Sequence, residues 1–230
     1  MIKLKETTTI CLRIIIFSCF LCIASSYANL AKVDNSIKSD FDIVIEHIQS
    51  SVGCSRNSAE SIFLLINYFA EGIQESFVYL ATSKDELSVK NEKVKYTINK
   101  YFESRYSLVQ VGVRNYSSIF EFAVHTYLRN LCRKNRYKYT KVELEFNPDY
   151  LGIGSFEKTG ENTYELSISM WMIFRGIIGD EVKYEDATRK KFRLNFFIQG
   201  DKVQLTINEI IVAEIIDLNY YKRIIKNKGD

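Results

Sequence analysis

Tyr164-Glu165-Leu166-Ser167-Ile168-Ser169-Met170-Trp171-Met172-Ile173-Phe174 is the stretch whose reading decides the fold. Its even-numbered positions are all apolar, and through Ser169 they alternate with polar residues. A period of two belongs to a β-strand with one face buried. Downstream, Phe192, Leu194, Phe196 and Ile198 repeat the pattern, and Val203, Leu205 and Ile207 begin a further strand. Upstream, Val142, Leu144 and Phe146 alternate with Glu143 and Glu145. Gly160 with Asn162, and Gly200-Asp201, supply turns between neighbours. Gly152-Ile153-Gly154-Ser155 lacks the Gly-x-Ser-x-Gly pattern of a nucleophile elbow and suits a bend or bulge in a strand. Four long antiparallel strands must coil, and one side must be covered.

The cover comes from the first half of the chain. Ile37, Phe41, Ile45, Ile48 and Val52 recur at helical spacing before Gly53. Asn57 with Glu60 reads as a capping pair, after which Ile62, Ile66, Phe69, Ile73, Phe77 and Leu80 form one stripe. Val94, Ile98 and Phe102 mark a second helix over 87–103. Leu108, Val109, Val111 and Val113 predict a short strand. Residues 119–133 then predict a helix with Val124, Tyr127, Leu128, Leu131 and Cys132 facing inward. The expected fold is α+β: N-terminal helices packed on a curved, mainly antiparallel sheet of four to five strands, a cone or roll.

This order resembles the nuclear transport factor two-like cone, also called the cystatin-like or SnoaL-like fold. The likeness is carried by Tyr101-Phe102-Glu103-Ser104, by the Tyr-Leu-Arg-Asn-Leu run from Tyr127 to Leu131, and by Tyr184-Glu185-Asp186-Ala187-Thr188-Arg189-Lys190. Together these motifs are similar to a group of exported bacterial proteins with this fold, over roughly Asn57 to Ile216. The resemblance implies a fold alone, because the cone hosts enzymes, ligand carriers and scaffolds.

The first 28 residues read as a signal peptide preceding that body. Lys3, Lys5 and Arg13 precede an apolar run from Ile14 to Ile23, and Ser26 and Ala28 suit a signal peptidase. A membrane-spanning helix needs about 20 apolar residues, more than this run offers. The expected organisation is 1–28 leader, 29–56 N-terminal helical extension, 57–218 cone-like domain and 219–230 basic tail. The chain carries 31 Lys+Arg and 28 Asp+Glu. Without the leader's three basic residues and one acid, 28 stand against 27, close to +1. Such balance argues against nucleic acid as a partner. Three cysteines of five lie in the leader. Cys54 and Cys132 remain, and an oxidising compartment would allow them to pair as a disulfide. Alternatively, Cys132 serves as a small buried hydrophobe.

Residue types that carry chemistry are sparse. His47 and His125 have no partner at metal-ligand spacing, so no metal and no cofactor is expected. Cone enzymes often place an Asp–His pair in the pocket, and His125 with Asp186 would form one only if the fold joins them. Met170, Met172 and Phe174 are the other pocket candidates. Arg129, Arg133, Lys134, Arg136, Lys138 and Lys141 form a basic stretch with Tyr137 and Tyr139 interleaved. It reads either as a contact for an anionic envelope surface or as cations at a helix C-terminus. Lys222, Arg223, Lys226 and Lys228 invite the same two readings. Trp171 faces away from the main stripe beside Ile173, as an exposed contact surface or as a second small core.

These features lead to an exported, non-catalytic binding or scaffold module of the cell envelope, its partner a protein or a small ligand. The alternatives are a pocket enzyme acting on a small apolar substrate and, if the leader is retained, a membrane-anchored assembly component of a secretion system. Exported protein is expected to begin at Asn29. Intact-mass measurement of secreted or periplasmic material checks this, and a membrane-bound, full-length product would favour the anchored reading.

Overall fold

The computed structural model describes residues 40–114, 118–133, 139–199 and 202–226. The leader, Gly200-Asp201 and the far end of the tail lie outside these residues. The chain divides into two compact units, 1–43 and 44–230. The described part of the first is only the opening turn of a helix. Along the described chain the elements are α1 (Asp40–Val52), α2 (Arg56–Thr82), α3 (Leu87–Tyr101), β1 (Leu108–Gly112), β2 (Ile119–Ala123), α4 (Val124–Cys132), β3 (Lys141–Lys158), β4 (Thr163–Ile178), β5 (Glu181–Gln199), β6 (Lys202–Ile216) and α5 (Leu218–Lys226).

α2 follows the predicted stripe. Ile62, Ile66, Phe69, Ile73, Phe77 and Leu80 are all buried. Its cap differs from the Asn57–Glu60 expectation. Ser55 stands in extended backbone and its hydroxyl accepts the Ser58 amide at 3.3 Å. Asn57 is already helical, its carbonyl accepting the Ser61 hydroxyl. α3 buries Val94, Ile98 and Tyr101. The helix expected over 119–133 is corrected in its first third: Ile119–Ala123 is a strand. Phe122 and Phe120 stand opposite Val109 and Val111 of β1, a pairing of aromatic and β-branched residues that favours a pleated ladder over a helical turn. The helix starts only where the Val124 amide donates to the Ser107 carbonyl at 2.8 Å.

Among the described residues six strands form one sheet in the order β2-β1-β6-β5-β4-β3, rather than the four to five expected. All pairings are antiparallel except β1 with β6. Register shifts interrupt β3 around Gly152 and Phe156, and shifts in β5–β6 fall beside Lys190 and Leu194. Such bulges sharpen the local twist and bend long strands. The inner face carries Leu166, Ile168, Met170, Phe192, Leu194 and Phe196, all fully buried. These join α2 and α4 in one core, with Phe77 of α2 touching Phe146 of β3 and Tyr127 of α4.

The outer face has a separate core. Trp171, Ile173 and Ala187 pack under Leu218 and Tyr221 of α5. Residues 218–226 are thus a docked helix rather than a plain basic tail, and that helix covers Trp171. Asn147 donates to the Tyr221 hydroxyl at 2.9 Å, and the Arg189 guanidinium lies 5.9 Å from the Trp171 ring centre.

Ile168 has no exposed surface. Ile168→Asp would put an unpaired charge in the core at a cost of several kcal/mol, against a total stability of about 5–15 kcal/mol. Loss of the cooperative melting transition is the expected outcome, measured by circular dichroism. A cooperatively melting Ile168→Asp variant would show the register to be wrong.

Candidate functional site

The inner face of β5 changes character along its length. Phe196, Leu194 and Phe192 are apolar, but the same alternation continued towards the start of the strand brings Lys190, Thr188, Asp186 and Tyr184 onto that face. Across the ladder, Met170 stands beside Lys190, Met172 beside Thr188, Phe174 beside Asp186 and Gly176 beside Tyr184. The polar row is deeply placed: Lys190 and Asp186 are each 4% exposed and Thr188 is 2% exposed. Tyr184 and Phe174 are half-buried, and their rings lie 6.1 Å apart. The Tyr139 ring lies 6.2 Å from that of Phe174 and covers Gly176, where any Cβ would collide with it.

Buried polar groups must be satisfied internally, and these are. The Tyr184 hydroxyl donates to one oxygen of Asp186 in a short hydrogen bond and accepts the Arg114 amide at 3.0 Å. Thr188 donates to the other Asp186 oxygen at 3.5 Å. The Lys190 ammonium donates to the Gln110 carbonyl at 2.6 Å. Burial dominates the electrostatics. It lowers the Lys190 pKa to about 8, against a smaller upward pull from Asp186. It raises Asp186, opposed by the Tyr184 hydroxyl, Lys190 and Arg114. Burial, followed by the hydrogen bond to Asp186, also raises Tyr184. Strongly perturbed ionisable groups inside a fold are candidates for function. Here, however, their donors and acceptors are directed at one another and at β1.

Met170, Met172 and Phe174 are therefore gathered along the polar row. Met170 is fully buried and accepts from the Gln74 amide at 3.0 Å. His125 is not brought to them. Its Nδ1 lies 2.9 Å from the Arg105 carbonyl, its Nε2 lies 3.2 Å from the Thr126 hydroxyl, and its ring contacts Tyr106. Among the described residues Asp186 is held by Tyr184 and Thr188, so no Asp186–His125 pair is formed. Arg133 is exposed just beyond α4, whereas Arg136 and Lys138 lie outside the described residues. Lys141 pairs with Glu143 at 2.6 Å.

The possible disulfide is corrected. Cys54 and Cys132 are free thiols. Cys54 precedes the start of α2, while Cys132 feels the charge of Lys90, whose ammonium reaches the Leu80 carbonyl near the end of α2. At about 1.5 Å of rise per residue, the two ends of α2 are tens of ångströms apart, far beyond the Cα separation of about 7 Å that a bridge tolerates.

Tyr184 and Lys190 enter the sequence reading only as part of a fold motif, and Gln110 and Arg114 not at all; none of the four is read from the sequence as a site residue. The available signal was phase: Tyr184, Asp186, Thr188 and Lys190 share the parity of Phe192, so polar residues occupy a run of inward positions. A further depression of about 240 Å³ lies on the outer face, lined by Ser155, Glu157, Glu165, Ser167, Lys191 and Arg193. It is smaller than the 300 Å³ or so from which small-molecule pockets begin.

No family model matches the chain, and no curated protein does. Solved structures do. One is a scytalone dehydratase-like protein from Novosphingobium aromaticivorans, at 8% identity over 69% of this chain and 91% of that one, with a TM-score of 0.36. The yeast UBP3-associated protein BRE5 matches at 13% identity over 64% and 92%, TM-score 0.32. The beta subunit of benzoate 1,2-dioxygenase from Burkholderia mallei matches at 12% identity over 60% and 85%, TM-score 0.31. Likeness at this level carries no argument about activity. The cone layout rests on this chain's own elements: helices, a strand pair, a helix, then four long antiparallel strands wrapped on the helices.

The Lys190 shift has a definite sign. The folded value, about 8, lies below the ordinary 10.5, so between these pH values the unfolded chain binds the extra proton and stability rises with pH. Tyr184 acts oppositely above about pH 10, the ordinary tyrosine value, because its folded pKa is raised. Between pH 8 and 10 the lysine contribution is expected to approach 2 kcal/mol. Urea unfolding of the wild type and of Lys190→Met at pH 7, 8, 9 and 10 measures it as the difference between the two profiles, since Cys54 and Cys132, whose thiols burial raises above the ordinary 9.0, pull stability the other way as pH passes that value.

Proposed function

We propose that this chain is a non-catalytic binding module that engages its partner through its surface rather than through a pocket inside the cone. One observation carries the reading. The inner face is filled by fully buried side chains as far as Met170, and the polar row beyond it spends its hydrogen bonds on the protein itself. A catalytic group must reach a substrate atom at hydrogen-bond distance, and the Asp186 carboxyl and Lys190 amine are turned to Tyr184, Thr188 and Gln110 instead. The composition of residues 1–28 supports export, which makes a cell-envelope partner, a protein or small ligand, the natural expectation.

A second reading is favoured by the same row. Buried acid and amine groups with shifted pKa values, beside Met170, Met172 and Phe174, would serve a pocket enzyme on a small apolar substrate if the inner face opened to admit one.

Thermal melting with small apolar probes distinguishes the two. Indole and cyclohexanone at millimolar concentration are expected to shift the midpoint by less than about 1 °C, since a ligand stabilises only the state it binds. A saturable rise of several degrees that Met172→Trp abolishes would establish an internal pocket and overturn the surface-module reading.

A further inference from the structure

β1 is joined to the sheet in an unusual way. Its parallel ladder with β6 has two registered pairs, Leu108 with Glu209 and Val109 with Ile210. Past Val109 the bonds that tie β1 to the body come from side chains. The Gln110 carbonyl takes the Lys190 ammonium at 2.6 Å, and the Gln110 side-chain oxygen takes the Val212 amide at 3.2 Å. Farther along, the Arg114 amide donates to the Tyr184 hydroxyl, and the Arg114 guanidinium pairs with Asp217. Between these points the Ile215 side chain lies against Gly112, in the space a Cβ would need. β2 is bonded to β1 through five registered pairs and forms the end of the sheet. The two strands therefore form a hairpin rooted at Leu108 and Val109 and fastened beyond them by Lys190, Tyr184 and Arg114–Asp217.

We propose that the β1–β2 hairpin is a flap that opens as a unit about Val109, and that its opening uncovers the Lys190 amine and the Asp186 carboxyl. Regular ladder bonds are numerous and cooperative, whereas a few side-chain fastenings can release together without unfolding the strands behind them. Sub-global opening of this kind takes place in the units with the fewest buried contacts. Beyond Val109 the hairpin holds no fully buried side chain among the described residues: Ile119 is 51% and Phe120 50% exposed, and Val111 and Phe122 are only partly buried against the core, while β4 and β5 hold its fully buried residues. Closing returns Gln110 to Lys190 and Arg114 to Tyr184, so the inner polar row is sealed only while the flap is shut.

Native-state hydrogen exchange on the full chain tests the flap. Amides of β1 and β2 are expected to exchange through an opening nearly insensitive to low denaturant, at least tenfold faster than those of β4 and β5. Merging of the hairpin amides with the global unfolding isotherm would overturn the proposal. Two variants give an independent readout: Tyr184→Phe and Asp217→Asn each remove one fastening. Each is expected to speed hairpin exchange about tenfold and to increase acetylation of Lys190 by acetic anhydride, read by peptide mass spectrometry; the unfolded chain lacks the fastening too, so β4 exchange rises by a similar factor and the hairpin keeps its lead over β4. Unchanged hairpin exchange, unchanged Lys190 labelling, or hairpin amides in the variants that follow the same denaturant dependence as β4, would sink the flap. Should either variant fail to fold, the wild-type exchange isotherms decide alone.

Discussion

β4 is hydrogen-bonded along both edges, to β3 from Tyr164 to Ile177 and to β5 from Thr163 to Ile178. Everything else takes its place from that double pairing. Since a strand cannot slip by one residue without turning each side chain to the opposite face, β4 fixes two cores at once. Leu166, Ile168 and Met170 belong to the helices, and Trp171 and Ile173 belong to α5. An antiparallel sheet commonly buries one face and leaves the other wet. Here the middle of β4 is dry on both sides, and the chain needs helices before and after the sheet to keep it so.

The opposite end of the sheet is built differently. β1 and β6 run parallel and soon part, and the backbone groups left over must still find partners. The row on β5 supplies some of them. Four polar residues in apolar phase look at first like catalytic machinery, yet they fill the place of a ladder that stops early. The shifted titrations of Tyr184, Asp186 and Lys190 follow first from depth. A buried network of this kind is safe only when fully satisfied, and Gln110, with both its carbonyl and its side chain engaged, completes it.

Long-range order was legible where one physical rule acted alone. The stripe from Ile62 to Leu80 and the alternation from Tyr164 to Phe174 each announce a single buried face, and both elements form as read. Where two rules competed, the reading failed. Ile119–Ala123 suits a helix by spacing, but Phe120 and Phe122 have Val111 and Val109 waiting across the ladder, a contact no local window contains. Ser55 captured the helix start because a hydroxyl in extended backbone reaches the Ser58 amide, a detail of geometry rather than composition. The candidate site was half visible. Met170, Met172 and Phe174 could be placed on one face by parity, while Lys190 and Tyr184 needed β1 to give them partners. His125 belonged to a dyad only by analogy, and its ring is occupied by Arg105 and Thr126. The cysteines failed for want of distance, since residues 78 positions apart in sequence can as easily lie at the two ends of a long helix as side by side.

Trp171 is the chain's only tryptophan, and it lies against Tyr221, with ring centres 5.1 Å apart, beneath α5. An indole held in that dry seat emits at shorter wavelength than one in water, and the neighbouring phenol is close enough to pass excitation to it. The last helix thus carries its own optical reporter. Lifting it from the sheet would redden and weaken a single emission band, with no second tryptophan to blur the signal.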